Sequence, residues 1–178
     1  MDELREVIVG NVCSLCAMVS DSVSSTQKKH SRIMLIQCLS QVFWAAGAII
    51  LKGYSGAAQN GVAILRTLAA MKQWKYRVVE WVLIALGVVL GVVFNNRGLL
   101  GWLPIVSNLE YSIAVFRFKN REKALKIAFI VNMLMYSVFN LVIRNYVGAI
   151  ANYVVVATTA ISLLRERKKQ EAPDEPAE

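Results

Sequence analysis

The chain has 178 residues, 56% of them hydrophobic and 18% charged, with a formal net charge of +8 and a mean hydropathy of +0.47. A water-soluble domain of this length would carry more charge and would not sustain apolar runs of about 20 residues, the length an α-helix needs to cross a bilayer. The basic residues sit in short connections between those runs, so the positive charge points to lipid headgroups and topology and argues against a nucleic-acid partner.

About seven membrane spans are predicted, near 6–23, 32–51, 54–71, 78–95, 99–117, 124–143 and 146–164. The runs are continuous and do not alternate, so helices are expected, with every backbone group satisfied inside its own segment. The first span follows an acidic start (Asp2, Glu3, Glu6) and has no small-residue cleavage site, which reads as a retained helix. It carries Cys13 and Cys16, three apart on one helix face. A C-x-x-C pair can serve redox or metal chemistry, but no second pair completes such a site and His30 is alone in a basic connection, so small apolar packing residues are the plainer reading. The fourth span carries Gly87 and Gly91, a G-x-x-x-G spacing that allows close helix approach. It suits a linker helix packed on one bundle, or alternatively a contact in a homo-oligomer. The tail over 166–178 is basic, then acidic with prolines, a composition that predicts disorder.

Two stretches of the chain match. Tyr54, Gly56, Ala57, Asn60 and Val62 recur as Tyr146, Gly148, Ala149, Asn152 and Val154, at an offset of 146 − 54 = 92. The same offset sets Trp44 against Tyr136, Lys52 against Arg144 and Thr67 against Thr159. This predicts a duplicated three-helix unit: a first repeat over 1–73, a linker helix over 74–97 and a second repeat over 98–165. The fold expected is all-α and membrane-integral, two parallel three-helix bundles joined by a linker helix, because one inserted span restores the orientation of a three-span unit.

Basic residues alternate between connections. Lys28, Lys29 and Arg32 follow the first span, Lys72, Lys75 and Arg77 the third, Lys119, Arg121, Lys123 and Lys126 the fifth, and Arg165, Arg167, Lys168 and Lys169 the seventh. The other connections hold only Lys52, Arg97 and Arg144. The positive-inside rule then places the N-terminus outside and the C-terminus in the cytoplasm.

This layout resembles the SWEET sugar transporters and PnuC-type vitamin transporters, whose wider group includes the SemiSWEETs and PQ-loop proteins. More closely, the chain resembles the YgjV family of bacterial inner-membrane proteins. The resemblance is carried by Gln37 to Trp44, by Gly53-Tyr54-Ser55-Gly56-Ala57 leading to Asn60 and Arg66, by Leu103-Pro104-Ile105, and by Tyr136 to Asn140. The YgjV likeness implies fold and location more than an activity. The SWEET likeness implies a substrate site midway across the membrane, with Trp44, Asn60, Tyr136 and Asn152 at the matching positions and Tyr136 replacing the expected Trp. It also leaves Pro104 as the hinge kink.

The two asparagines each offer one acceptor and two donor hydrogens, and the aromatic faces would sandwich a ring. A sugar, nucleoside or vitamin fits that chemistry; hydrogen bonding between helices is the plainer alternative. Arg66 and Glu110 each lie twelve residues into a span, at similar depth, and are expected to form an ion pair that acts as an inner gate or simply fixes the bundles. Asp21 is expected at the interface. No Ser-His-Asp set, phosphate-binding loop or metal cluster supports catalysis, and no cofactor is expected. The function expected is facilitated transport of a neutral polar solute across the inner membrane. A receptor or scaffold of the same fold, as in the KDEL-type retrieval receptors, is the alternative.

Overall fold

The computed structural model describes residues 2–25, 27, 30–72, 77–117 and 121–171. Seven α-helices follow one another: α1 (Asp2–Ser25), α2 (His30–Ile50), α3 (Tyr54–Met71), α4 (Arg77–Val93), α5 (Leu103–Arg117), α6 (Glu122–Val142) and α7 (Tyr146–Glu171), with a 3-10 helix, Gly98–Trp102, leading into α5. There is no strand among the described residues. Each expected span corresponds to one helix. Four segments are long and apolar enough to cross a membrane: Asp2–Ser24, Ser31–Ile50, Lys123–Val142 and Tyr146–Arg165. Helix α4 contributes a shorter apolar stretch, Val78–Val93. Helix α5 alone is about 22 Å long, and the 3-10 helix adds roughly 10 Å, which brings the pair to the thickness of a hydrocarbon core. Helix α7 continues through 166–171, a stretch the sequence assigned to the disordered tail. Residues 172–178, the basic residues Lys28, Lys29, Lys75 and Lys119, and the boundary between the first repeat and the linker lie outside the described residues.

The burial pattern is that of a protein in lipid. Leu35, Val78, Val82, Val93, Ile127 and Ile150 are exposed, whereas Ser14, Ser40, Ser55, Ser107 and Ser137 are fully buried. In lipid there is no hydrophobic gain from burying Leu, so small side chains collect between helices and let backbones approach. Each helix packs on the next in chain order, α1 closes against α7, and α3 also meets α5. A Cβ on Gly47 of α2 would come within 3.0 Å of the Gly10 carbonyl on α1. Gly87 and Gly91 of α4 are covered from within the chain: a Cβ at Gly91 would fall 2.6 Å from both Gln59 of α3 and Ile105 of α5.

The repeat is visible in the backbone. Lys52 and Arg144, 92 residues apart, are the described non-glycine residues with positive φ, at 55° and 61°. Each ends a helix in the left-handed region. Gly53 N–H donates to the Ala48 carbonyl and Asn145 N–H to the Asn140 carbonyl, again at the offset of 92. The α2–α3 and α6–α7 turns are thus one structure used twice, and α2 and α6 begin and end at matching positions.

Both turns gather at one end of the bundle. There Leu51, Phe139 and Ile143 form a buried apolar cluster, with Val7 and Leu103 against it. Leu51 and Ile143 are themselves related by the offset (143 − 51 = 92), so the two turns meet each other. Ion pairs tie the start of α1 to both: Glu6 to Lys52 at 2.7 Å and Glu3 to Arg144 at 3.6 Å. Glu6, through its hydrogen bond first, holds the Lys52 ammonium above the ordinary lysine range.

Candidate functional site

The interior of the bundle carries a chain of polar side chains. It starts on α3, where Gln59 is buried and its Nε2 donates to the Gly87 carbonyl of α4 at 2.7 Å. The small residue at 87 is what lets the Gln59 amide reach the backbone. Gln59 Oε1 in turn accepts from Asn108 Nδ2 on α5 at 2.9 Å. The same Asn108 nitrogen donates to the Tyr136 hydroxyl on α6 at 3.0 Å. Four helices are joined by three hydrogen bonds. At the neighbouring residue of α5, Ser107 Oγ donates to the Asn132 carbonyl at 3.1 Å, and Asn132 Nδ2 returns a bond to the Ser107 carbonyl at 2.8 Å. Polar groups in lipid need such partners.

The expected site residues are distributed more widely than the sequence implied. Trp44 is half-buried and its Nε1 donates to Asp21 Oδ2 on α1 at 3.0 Å, so the indole is tied within the α1–α2 pair. Tyr136 belongs to the α3–α5–α6 chain just described. Asn60 and Asn152 are both half-buried, and among the described residues their amides make no hydrogen bond. Both asparagines therefore retain donors and acceptors that no neighbouring helix uses.

Arg66 and Glu110 do not form the expected ion pair. Arg66 is exposed, whereas Glu110 Oε2 is buried with no hydrogen-bond partner. Equal depth in two spans put them at one level, but pairing also needs the two side chains to face each other around their helix axes. Pro104 is buried in the first turn of α5, at the junction with the 3-10 helix, where the fixed φ of proline suits the start of an α-helix. Asn140 accepts from Asn145 Nδ2 at 3.3 Å and belongs to the α6–α7 turn.

Asn108, Asn11 and Asn96 escaped the sequence reading. Asn11 lies in the first span and Asn108 in the fifth, and an amide inside an apolar run was the available signal for both. Asn96 lies in a connection, where an asparagine carries no such signal.

The apolar exterior, the buried serines and amides and the helices of bilayer length define a multi-pass helical membrane protein with a polar interior. The chain belongs to the bacterial inner membrane protein family Imp-YgjV, whose family model matches residues 8–170. This fixes its location as the bacterial inner membrane. No curated protein and no solved structure matches the chain.

Proposed function

We propose that the protein is a small facilitative transporter for a neutral polar solute, a sugar, nucleoside or vitamin, that works by alternating access of its two halves. The observation that carries this reading is the pair Asn60 and Asn152. Two amides, 92 residues apart on half-buried positions of membrane helices, hold unspent hydrogen-bonding capacity. An amide in lipid is costly unless something bonds to it, and a neutral polar solute would. The repeated α2–α3 and α6–α7 turns support two parallel three-helix halves with α4 as the linker, as in the SWEET-like plan. The alternation of basic connections supports an external N-terminus and a cytoplasmic C-terminus. The chemistry invoked is binding and release, with no enzymatic step and no cofactor.

One observation favours the receptor or scaffold alternative: Trp44 and Tyr136 spend their polar atoms on Asp21 and Asn108, inside the protein. A thermal-shift screen in detergent against sugars, nucleosides and vitamins separates the two. A ligand at a hundred times its dissociation constant stabilises by about 2.7 kcal/mol. A hit abolished by Asn60→Ala and by Asn152→Ala supports the transporter. Hits indifferent to both substitutions, or none in the panel with no uptake into proteoliposomes, sink it.

A further inference from the structure

Apart from the bonds Gln59 makes to Gly87 and Asn108, the described bonds that tie one half to the rest of the chain gather at the end that carries the repeated turns. Asn11, on α1, donates from Nδ2 to the Arg144 carbonyl at 2.9 Å and accepts at Oδ1 from Val147 N–H at 2.9 Å. Asn96, in the connection before α5, donates from Nδ2 to the Lys52 carbonyl at 2.7 Å and accepts at Oδ1 from Tyr54 N–H at 3.3 Å. Each asparagine thus grips a left-handed turn from outside it, Asn11 from the first half and Asn96 from the linker, with the same two side-chain atoms but with N–H partners one register position apart, Val147 and Tyr54. Arg97 adds bonds to the Leu51 and Lys52 carbonyls, both at 3.0 Å.

Beneath the grips lies the apolar cluster. Phe139 is 1% exposed, and a Cβ on Gly56 would stand 2.6 Å from its ring. A Cβ on Gly53 would stand 2.9 Å from Ile143. So the start of α3 and the turn before it lie directly against Phe139 and Ile143 at the end of α6. Both turns also hold a non-glycine residue at positive φ, a conformation that persists where the surroundings over-determine it. Toward the opposite end, among the described residues, the bonds Trp44 to Asp21, Ser24 to Ile33 and Lys126 to Ser162 each join helices of a single half.

The geometry points to a gate: the turn-bearing end is closed by the Leu51–Phe139–Ile143 cluster and latched by the reciprocal Asn11 and Asn96 grips. This inference rests on the transporter reading and gives it a direction. The halves are pinned at one end, so the path opens first toward the end with the basic connections, and transport requires both grips to release.

The test reads access and needs no solute. In a background with Cys13, Cys16 and Cys38 replaced by Ser, a single reporter, Ile143→Cys, is labelled in detergent with a water-soluble maleimide. With both asparagines intact the thiol reacts slowly. In Asn11→Ala/Asn96→Ala, which removes four hydrogen bonds, the rate rises about tenfold or more. A second reporter, Ala128→Cys on α6, is buried away from the turns and keeps its slow rate in both backgrounds. Fast labelling of Ile143→Cys with the grips intact overturns the gate. So does a double variant no faster than the parent. If Ala128→Cys also becomes reactive, the asparagines staple the whole fold and the gate is wrong. A gate that passes this test in a protein for which no solute is ever found would leave access control standing and the transporter reading refuted.

Discussion

Asn11 and Asn96 perform one task on two equivalent turns: the Asn11 amide caps the Arg144 carbonyl at 2.9 Å, and the Asn96 amide caps the Lys52 carbonyl at 2.7 Å. A residue at positive φ turns its carbonyl out of the helical ladder, so it needs a donor from elsewhere. Here the donor comes from the first half for Arg144 and from the linker for Lys52. Asn11→Ala is expected to lower stability by about 1–3 kcal/mol, because it leaves the Arg144 carbonyl and the Val147 N–H without partners, and Asn96→Ala by less, because Arg97 Nε still donates to the Lys52 carbonyl. Thermal unfolding in detergent reads this; single variants that melt with the parent would show that water replaces the amide at no cost.

The left-handed turns predict their own substitution pattern. Arg144→Asn should unfold within about 0.5 kcal/mol of the parent, since asparagine tolerates positive φ and the exposed pair with Glu3 is worth little. Arg144→Ile should cost about 1–2 kcal/mol more, because a β-branched side chain crowds the left-handed conformation. Equal stability for the two would mean that the turn relaxes.

Glycines in α3 should divide sharply. Gly56→Ala places a methyl group against the Phe139 ring and is expected to cost about 1–3 kcal/mol. Gly61→Ala meets nothing within 4 Å and should stabilise the helix by up to about 1 kcal/mol. Melting temperatures of the two variants should therefore shift in opposite directions, and a shift of the same sign would contradict the packing described.

The polar chain invites a double-mutant cycle. Gln59→Leu and Asn108→Leu together should cost less than the sum of the single changes, by about 0.6–1.7 kcal/mol, the range for hydrogen bonds between membrane helices. A coupling of zero would show that the Gln59–Asn108 bond contributes nothing in the folded protein.

Glu110→Gln is expected to leave stability unchanged or to raise it. The buried Oε2 has no donor to lose, whereas a carboxylate with a hidden cationic partner would cost about 3–5 kcal/mol when neutralised. A drop of that size in the melting curve would restore an ion pair such as the one expected with Arg66.

The spans were legible in the sequence because hydropathy is a local property. A helix of about 20 apolar residues buries its own backbone bonds whatever its neighbours do. The repeat was legible too, and it located Lys52 and Arg144 as equivalents before either was known to adopt positive φ. Side-chain partners were not legible, and the site shows why. Trp44 and Tyr136 are equivalent in sequence and each bonds the first helix of its own half, yet the partners Asp21 and Asn108 are not related by the offset of 92. Arg66 and Glu110 share a depth and do not meet. Depth follows from counting residues along a helix, but contact depends on the rotation of each helix about its axis. That rotation is set by close approaches such as Gly56 on Phe139 and Gly91 on Ile105. The sequence by itself therefore determined which segments are helices of the membrane and that the turns at Lys52 and Arg144 are alike. Only the tertiary structure decided which side chains meet, because packing between helices is fixed by contacts far apart in the chain and lipid, as apolar as the helices themselves, favours no one rotation.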